Sequence, residues 1–384
     1  MTSGRIRIRR SKETHPCGGR AARGQLVSRT DSSGNRFDFS FNPDGSVARL
    51  TSRLAGQAAP VEIQDYVYLP ATDPNTGKVA RIDIRRGDTT LVRSTTFTYH
   101  DGTTAFGTLG DLASMTTLDP AGAVLDSSVY RYTTAPSGQS LIEYTFDTEA
   151  VRRATAAGLD IATASNAAAA PFATDFFAYD ANHRVIRHDL QGAGCSSCTG
   201  GIGTFTYSYA QNPKPVIGSN LDWRTKSTET RPDGTERIVY SNARTQPMLE
   251  VIRTTEGGVT RQQGTYTRYN ARGQAIWQVS PEAINLPANL ADIEQYPDLL
   301  NEVAGNFQYI SDSSGLIEVT NSATATTATA TTAGSANRFV SSTAVMRGDR
   351  GTAVTQEAFT YFVVSGGGST VTPLATRTTY PNKT

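Results

Sequence analysis

Phe37-Asp38-Phe39-Ser40-Phe41-Asn42-Pro43-Asp44-Gly45-Ser46-Val47 is the stretch that decides the fold. Phe37, Phe39 and Phe41 alternate with polar residues, so a β-strand puts all three rings on one face. Asn42 and Asp44 then offer side-chain oxygens to backbone N–H groups two residues on. Gly45 supplies the positive φ that closes the turn, and Val47 opens the next strand. The stretch therefore reads as one antiparallel hairpin.

Working outward, the pattern returns along the chain. It recurs as Asp73-Pro74-Asn75-Thr76-Gly77-Lys78-Val79, as Leu118-Asp119-Pro120-Ala121-Gly122-Ala123-Val124 and as Tyr179-Asp180-Ala181-Asn182-His183-Arg184-Val185. Further copies are Arg231-Pro232-Asp233-Gly234, Tyr269-Asn270-Ala271-Arg272-Gly273-Gln274-Ala275-Ile276 and Ser311-Asp312-Ser313-Ser314-Gly315-Leu316-Ile317. The expected left-handed turn positions are Gly45, Gly77, Gly122, His183, Gly234, Gly273 and Gly315. His183 replaces glycine, and His is among the non-glycine residues enriched at positive φ. Phe97-Thr98-Tyr99 and Phe205-Thr206-Tyr207-Ser208-Tyr209 supply more alternating aromatic strands.

Composition agrees with a β protein. The 384 residues include 16 Tyr, and Thr is abundant; both types favour pleated, half-buried surfaces. Charged residues are 18% of the chain and the formal net charge is +1, which excludes a broadly basic nucleic-acid binder and an acidic solvating tail. No apolar run approaches the length of a membrane helix. The basic start, Arg5 to Arg10, is followed by no apolar core, so this chain shows no signal peptide.

The set of turns resembles the bacterial RHS, or YD-repeat, proteins, over roughly residues 25 to 384. Tyr179-Asp180 and Tyr269-Asn270 carry the signature. The run from Gly194 to Gly201 with Phe205 to Tyr209, followed by Tyr309 to Thr320, resembles the planctomycete members in particular. The resemblance implies a mainly β fold whose repeated antiparallel hairpins form a spiral or partial shell. It implies a surface or secreted protein used for encapsulation or cell-surface contact, partnered by the remainder of a longer RHS protein or by carbohydrate. Neither nucleic acid nor a membrane span is expected, and the chain is expected to be incomplete at its N-terminus.

The expected organisation is a poorly ordered segment over 1–24, hairpin repeats over 25–280, a helical insertion over 281–308 and further β repeats over 309–384. In the insertion, Leu290, Ile293, Leu299, Leu300 and Val303 are spaced much as on a helix, with Pro297 as a break. Ala-rich residues 148–170 read either as a helix capped by Thr148 or as a flexible loop. Thr/Ala-rich residues 322–334 read as a strand or an extended linker.

Candidate chemistry is sparse. Cys195 and Cys198 allow a disulfide within their Gly-rich loop or two plain thiols, and with His183 and His188 they would make a zinc set. Odd spacing on a strand points the two histidines to opposite faces, which argues against the metal. Asp119-Pro120-Ala121-Gly122 is similar to a self-cleavage motif of the family but sits in the first third of the chain, and it reads as another turn. Arg347-Gly348-Asp349 reads as a polar turn. There is no nucleophile elbow and no phosphate-binding loop. Trp223 and Trp277 are expected in the core, with sugar stacking as the alternative. No enzyme activity and no cofactor are expected.

Overall fold

The computed structural model describes residues 25–190, 203–216, 219–366 and 368–381. The N-terminal 1–24 segment and the Cys195–Cys198 pair lie outside the described residues. The fold is mainly β, and the chain divides into two compact units, the first ending at Thr204 and the second beginning at Phe205.

The first unit is a continuous antiparallel ladder. Its strands are Ser28–Thr30, Arg36–Phe41, Val47–Arg53, Glu62–Tyr68, Val79–Arg86, Leu91–Tyr99, Leu112–Leu118, Val124–Thr134, Ser140–Phe146, Asp175–Tyr179 and Val185–Leu190. Each pairs with the next in sequence, whether the connection is a tight turn such as 42–46 or the long 147–174 insertion. Much of one face is polar. Asp65 stands directly opposite Asp83, and the like charges are tolerated because Arg49 binds Asp65, Arg81 binds Asp83 and Arg85 spans both.

The second unit repeats the plan. Trp223–Thr230, Glu236–Asn242, Pro247–Glu256, Val259–Tyr269, Ala275–Val279, Leu316–Ser322, Val340–Arg347, Val354–Tyr361 and Leu374–Thr379 pair in that order. Its core holds Trp223, Ile238, Tyr240, Leu249, Val251, Tyr266, Val279 and Ile317 on one sheet face. The segment between Val279 and Leu316 folds back over that face and adds Leu290, Ile293, Leu299, Leu300, Phe307 and Ile310. The first unit has a smaller core, where Phe146 meets Ala150, Ala154, Ile161 and Ala169 of the 147–174 insertion.

Both insertions differ in detail from their sequence reading. Residues 148–170 are helical in two pieces, Thr148–Ala156 and Asn166–Ala169, and the first is capped by Asp147, whose Oδ1 accepts from Ala150 N at 2.8 Å. Thr148 sits one place inside the helix, and its hydroxyl instead serves Asp126 and the backbone of Ser127. The helical spacing over 289–306 yields only one turn, Ala291–Glu294, after a 3-10 turn at Pro281–Ala283. Leu299, Asn301 and Ala304 then take positive φ, which no helix continues through, and Glu302–Val303 pairs with Asn306–Phe307. Residues 323–334 are neither a strand nor a linker: Thr327 N binds Ser335 O at 2.9 Å, and Gly334 bridges to Tyr361. No helix among the described residues is long and apolar enough to cross a membrane.

Candidate functional site: the tyrosine-stapled turn edge

Strand alternation places turns 42–46, 69–78, 100–111, 135–139 and 180–184 at one end of the first ladder, and turns 243–246, 270–274, 323–339 and 362–373 at one end of the second. The turn geometry follows from the residues. Asn270 Oδ1 accepts from the backbone of Arg272 and Gln274, and Asp180 Oδ1 does the same for Asn182 and Arg184. The φ values are 92° at Gly45, 78° at Gly77, 63° at His183 and 82° at Gly273 in these turns, and 89° at Gly122, 80° at Gly234 and 71° at Gly315 in turns at the opposite ends of the two ladders. His183 holds its left-handed place and its Nε2 lies 3.0 Å from Ser137 Oγ. Hydrogen bonding, first from Arg184, holds the Asp180 carboxyl below its usual range, and backbone N–H donation from Thr235 does the same at Asp233.

The last residue of the strand entering these turns is often tyrosine, or, at Tyr132, the third from last, and its hydroxyl has one repeated destination. Tyr68 donates to Val47 O at 2.8 Å, Tyr99 to Val79 O at 2.9 Å and Tyr132 to Leu112 O at 3.0 Å. Tyr179 donates to Ile142 O at 2.6 Å, Tyr269 to Pro247 O at 2.9 Å and Tyr361 to Val340 O at 2.8 Å. Each acceptor lies at or near the start of the preceding strand. In each case the tyrosine stands one residue beyond the position facing its acceptor: Arg81 faces Thr96, so Thr98 would face Val79, and Tyr99 follows it. A one-residue irregularity directly before each tyrosine re-aims its ring.

A second set of bonds runs the other way. Lys78 Nζ reaches Gly110 O at 2.7 Å, Gln246 Nε2 reaches Gly273 O at 2.8 Å and Gln274 Nε2 reaches Arg338 O at 2.9 Å. The acceptors Gly110, Gly273 and Arg338 all have positive φ, at 97°, 82° and 75°. The polar groups of this edge thus bind neighbouring hairpins to one another. Changing Tyr132 to Phe is expected to cost about 1 kcal/mol, the net worth of one hydrogen bond, and chemical denaturation would measure it. A loss below about 0.3 kcal/mol would show the staple to be idle.

Burial, with the Asp111 charge behind it, pushes the Tyr132 phenol up to about 12 from an ordinary 10.0. Burial raises Tyr99, Tyr179, Tyr269 and Tyr361 in the same direction. A folded pKa above the unfolded one stabilises fully below pH 10, and that contribution is lost as pH rises through about 12. Alkaline unfolding is therefore expected in that window, with phenolate absorbance rising in step with loss of the β circular-dichroism signal. Phenols that titrate near 10 while the β signal stays intact would contradict it.

The insertions are held by arginines that the sequence reading passed over. Arg131 and Arg268 each directly precede a staple tyrosine. Buried Arg131 donates to Asn166 Oδ1 at 2.6 Å, to Ala164 O at 2.7 Å and to Ile161 O, and lies 3.9 Å from the Phe106 ring centre. Arg268 pairs with Glu302 and sits over Trp277 and Phe307. The signal was present as Arg-Tyr near the end of a strand, directly before the turn at Arg268-Tyr269 and two residues further back at Arg131-Tyr132.

One further polar node lies under the second insertion. Tyr240 Oη donates to Glu294 Oε1 at 2.8 Å, Lys226 Nζ is 2.6 Å from the same oxygen, and Trp223 Nε1 donates to Glu294 O at 3.2 Å. Burial drives the Tyr240 phenol above the usual tyrosine range, so it keeps its proton and acts as a tether, not as a base. The remaining candidates separate. His188 Nε2 is 2.8 Å from Asp175 and its ring stacks on Phe177, away from the His183–Ser137 contact. No cluster of metal-ligating side chains occurs among the described residues. Asp119 Oδ1 accepts from the backbone of Ala121 and Ala123 in an ordinary hairpin turn, and Gly348 turns at φ 65°. Trp223 is buried, and Trp277 is half-buried against Phe307.

No family model matches the chain, and no curated protein matches its sequence. Among solved structures it is similar to the chain in the crystal structure of TcdB2-TccC3-TEV, with a TM-score of 0.32 and 13% identity over 94% of this chain and 16% of that one. The TcdB2-TccC3-Cdc42 structure gives a TM-score of 0.32 and 14% identity over 92% and 16%. A porin-like protein from Bacteroides uniformis gives 0.18 and 13% over 92% and 94%. The chain thus spans 16% of the TcdB2-TccC3 chains, and TM-scores of this size carry nothing about function.

Proposed function

We propose that this chain is a segment of a surface or secreted RHS-type β-scaffold, a run of hairpins that encloses cargo or meets other cell-surface components and has no chemistry of its own. The observation that carries the reading is the stapled edge. Its phenols, amides and lysine bond one hairpin to the next, where a catalytic edge would aim such groups at a cavity. The remainder of a longer protein of the same repeat is the natural partner of such a ladder. The test is the purified chain. A cooperative β melt, an unchanged intact mass on incubation and no hydrolysis of ester, peptide or glycoside substrates support the reading; turnover of any of them overturns it.

Carbohydrate contact is the second reading. It is favoured by a cleft of about 260 Å³ lined by Asn270, Arg272, Trp277 and Asn321, since amides beside an indole suit a sugar ring. A glycan array showing no binding, and no change on Trp277→Ala, removes it.

A further inference from the structure

Turns 243–246, 270–274, 323–339 and 362–373 share one end of the second ladder, and residues 212–222, which join Gly203–Gln211 to Trp223–Thr230, return there as well. The charge of this end is one-sided. These segments carry Lys214, Arg244, Arg272 and Arg338, and their single acid is Asp222. Asp222 is 1% exposed, with Oδ2 3.5 Å from Arg224 Nε, so it neutralises none of the four. Glu294 and Glu302 of the covering segment are bound to Lys226 and Arg268. No carboxylate pairs with the four cations among the described residues, whereas Arg231, Arg237, Arg253 and Arg377 of the same unit each have one. The repeat does not demand this: the corresponding turns of the first ladder carry Asp44, Asp73, Asp101, Asp111 and Asp180.

Apolar side chains stand among the cations. Phe339, next to Arg338, is 41% exposed, and Val371 is 58% exposed beside Val364, which faces it across a short hairpin. The turns are also tied into one row. Asn220 Nδ2 donates to Ala271 O at 3.2 Å, Gln246 Nε2 to Gly273 O at 2.8 Å and Gln274 Nε2 to Arg338 O at 2.9 Å.

We infer that this end of the second unit docks on a membrane surface that contains anionic lipid. Lys214 and the arginines meet the headgroup phosphates, while Phe339 and Val371 enter the boundary between headgroups and acyl chains. The same features separate a membrane from a nucleic acid. Successive turns stand two strands, about 10 Å, apart, while phosphates repeat every ~3.4 Å along a nucleic-acid strand. A polyanion in water also gains nothing from an exposed Phe339. The inference is independent of the scaffold reading. Arg272 also lines the cleft suited to carbohydrate, so the test uses Lys214, Arg338 and Phe339, which do not.

The full chain is sedimented with vesicles of phosphatidylcholine alone and of equimolar phosphatidylcholine and phosphatidylglycerol. Binding is expected only to the mixed vesicles, and it weakens as salt rises. Lys214→Gln and Arg338→Gln, each with an unchanged melting curve, are expected to weaken it about fivefold apiece. Phe339→Ser is expected to weaken it by about the same factor. Arg347→Gln removes an exposed cation from the opposite end of the ladder and is expected to leave binding unchanged. Absence of binding to the mixed vesicles overturns the proposal. So does an equal loss with Arg347→Gln, which would mark a general attraction of the chain's cations. Wild-type binding by Phe339→Ser overturns it too, and capture of single-stranded DNA by that variant would make the edge a polyanion surface instead. If a variant fails to fold, hydrogen exchange of the wild-type chain decides. Mixed vesicles are expected to protect amides over 270–274 and 336–339 and not those over 231–235; equal or reversed protection overturns the proposal.

Discussion

Replacing Gly315 by alanine is expected to destabilise the second unit by about 3 kcal/mol or more, through two causes that act together. Gly315 has a φ of +71°, where an L side chain costs about 1–2 kcal/mol. A Cβ there would also stand 2.1 Å from Ala283 N and 2.4 Å from the Glu282 carbonyl carbon, and backbone cannot step aside as a side chain can. This is where the 280–315 segment returns to the sheet: Ser280 N donates to Leu316 O at 2.9 Å and Ser311 N to Ala283 O at 2.8 Å. Pushing Gly315 away from Ala283 therefore loosens the covering that buries Ile293, Leu300 and Ile310. Gly122→Ala separates the two causes. Gly122 has a φ of +89° but nothing within 4 Å of the added carbon, so its cost is expected near 1–2 kcal/mol. Denaturant midpoints of the two variants check the prediction; equal losses would mean that the backbone clash is relieved at no cost.

The contrast between these glycines also marks what the sequence could tell. The turn signature located Gly122 and Gly315 as equivalents, because an Asx residue followed by a left-handed position depends only on neighbours in the chain. That Gly315 lies against Ala283 depends on how a distant segment returns, and no local pattern encodes it. The strand ladder was readable for the same local reason, through Phe37, Phe39 and Phe41 and their later counterparts. The insertions were readable only as interruptions. Leu300 has helical spacing from Ile293, yet Leu299 beside it takes a φ of 63° and is buried in the second core, so the chain leaves the helix before Leu300. Of the staple tyrosines, Tyr179 and Tyr269 were visible as the first letter of the repeat and Tyr99 as part of an aromatic strand, while Tyr68, Tyr132 and Tyr361 were passed over; the use of none of them was visible. A phenol next to a turn names no acceptor until the preceding strand is laid beside it. His183 shows the opposite case: a residue out of place in the pattern was read from its conformational tolerance alone, and it holds a φ of 63°.

The first insertion should depend on one side chain. Arg131→Ala is expected to cost about 3 kcal/mol, because it removes a charged donor from acceptors that have no other partner of that kind. Arg131 is buried, and its guanidinium is the point where Asn166 Oδ1, Ala164 O and Ile161 O converge. Truncation leaves Ile161 O buried and the half-buried Ala164 O and Asn166 Oδ1 without this donor, and also deletes the cation's contact with Phe106. Burial pushes the Arg131 guanidinium pKa down, so the site tolerates the charge only because these acceptors surround it. Arg131→Lys is expected to recover little. One ammonium cannot reproduce a planar fork that reaches three oxygens from different directions. The damage should be local. The Tyr132 staple and the ladder pairing of Val129 with Phe146 use other atoms, so the β signal should persist while residues 157–166 lose amide protection. Hydrogen exchange resolved along the chain reads this directly. Protection retained over 157–166 in a folded Arg131→Ala chain would show that Phe146, Ala150, Ala154 and Ile161 hold the insertion by apolar packing alone.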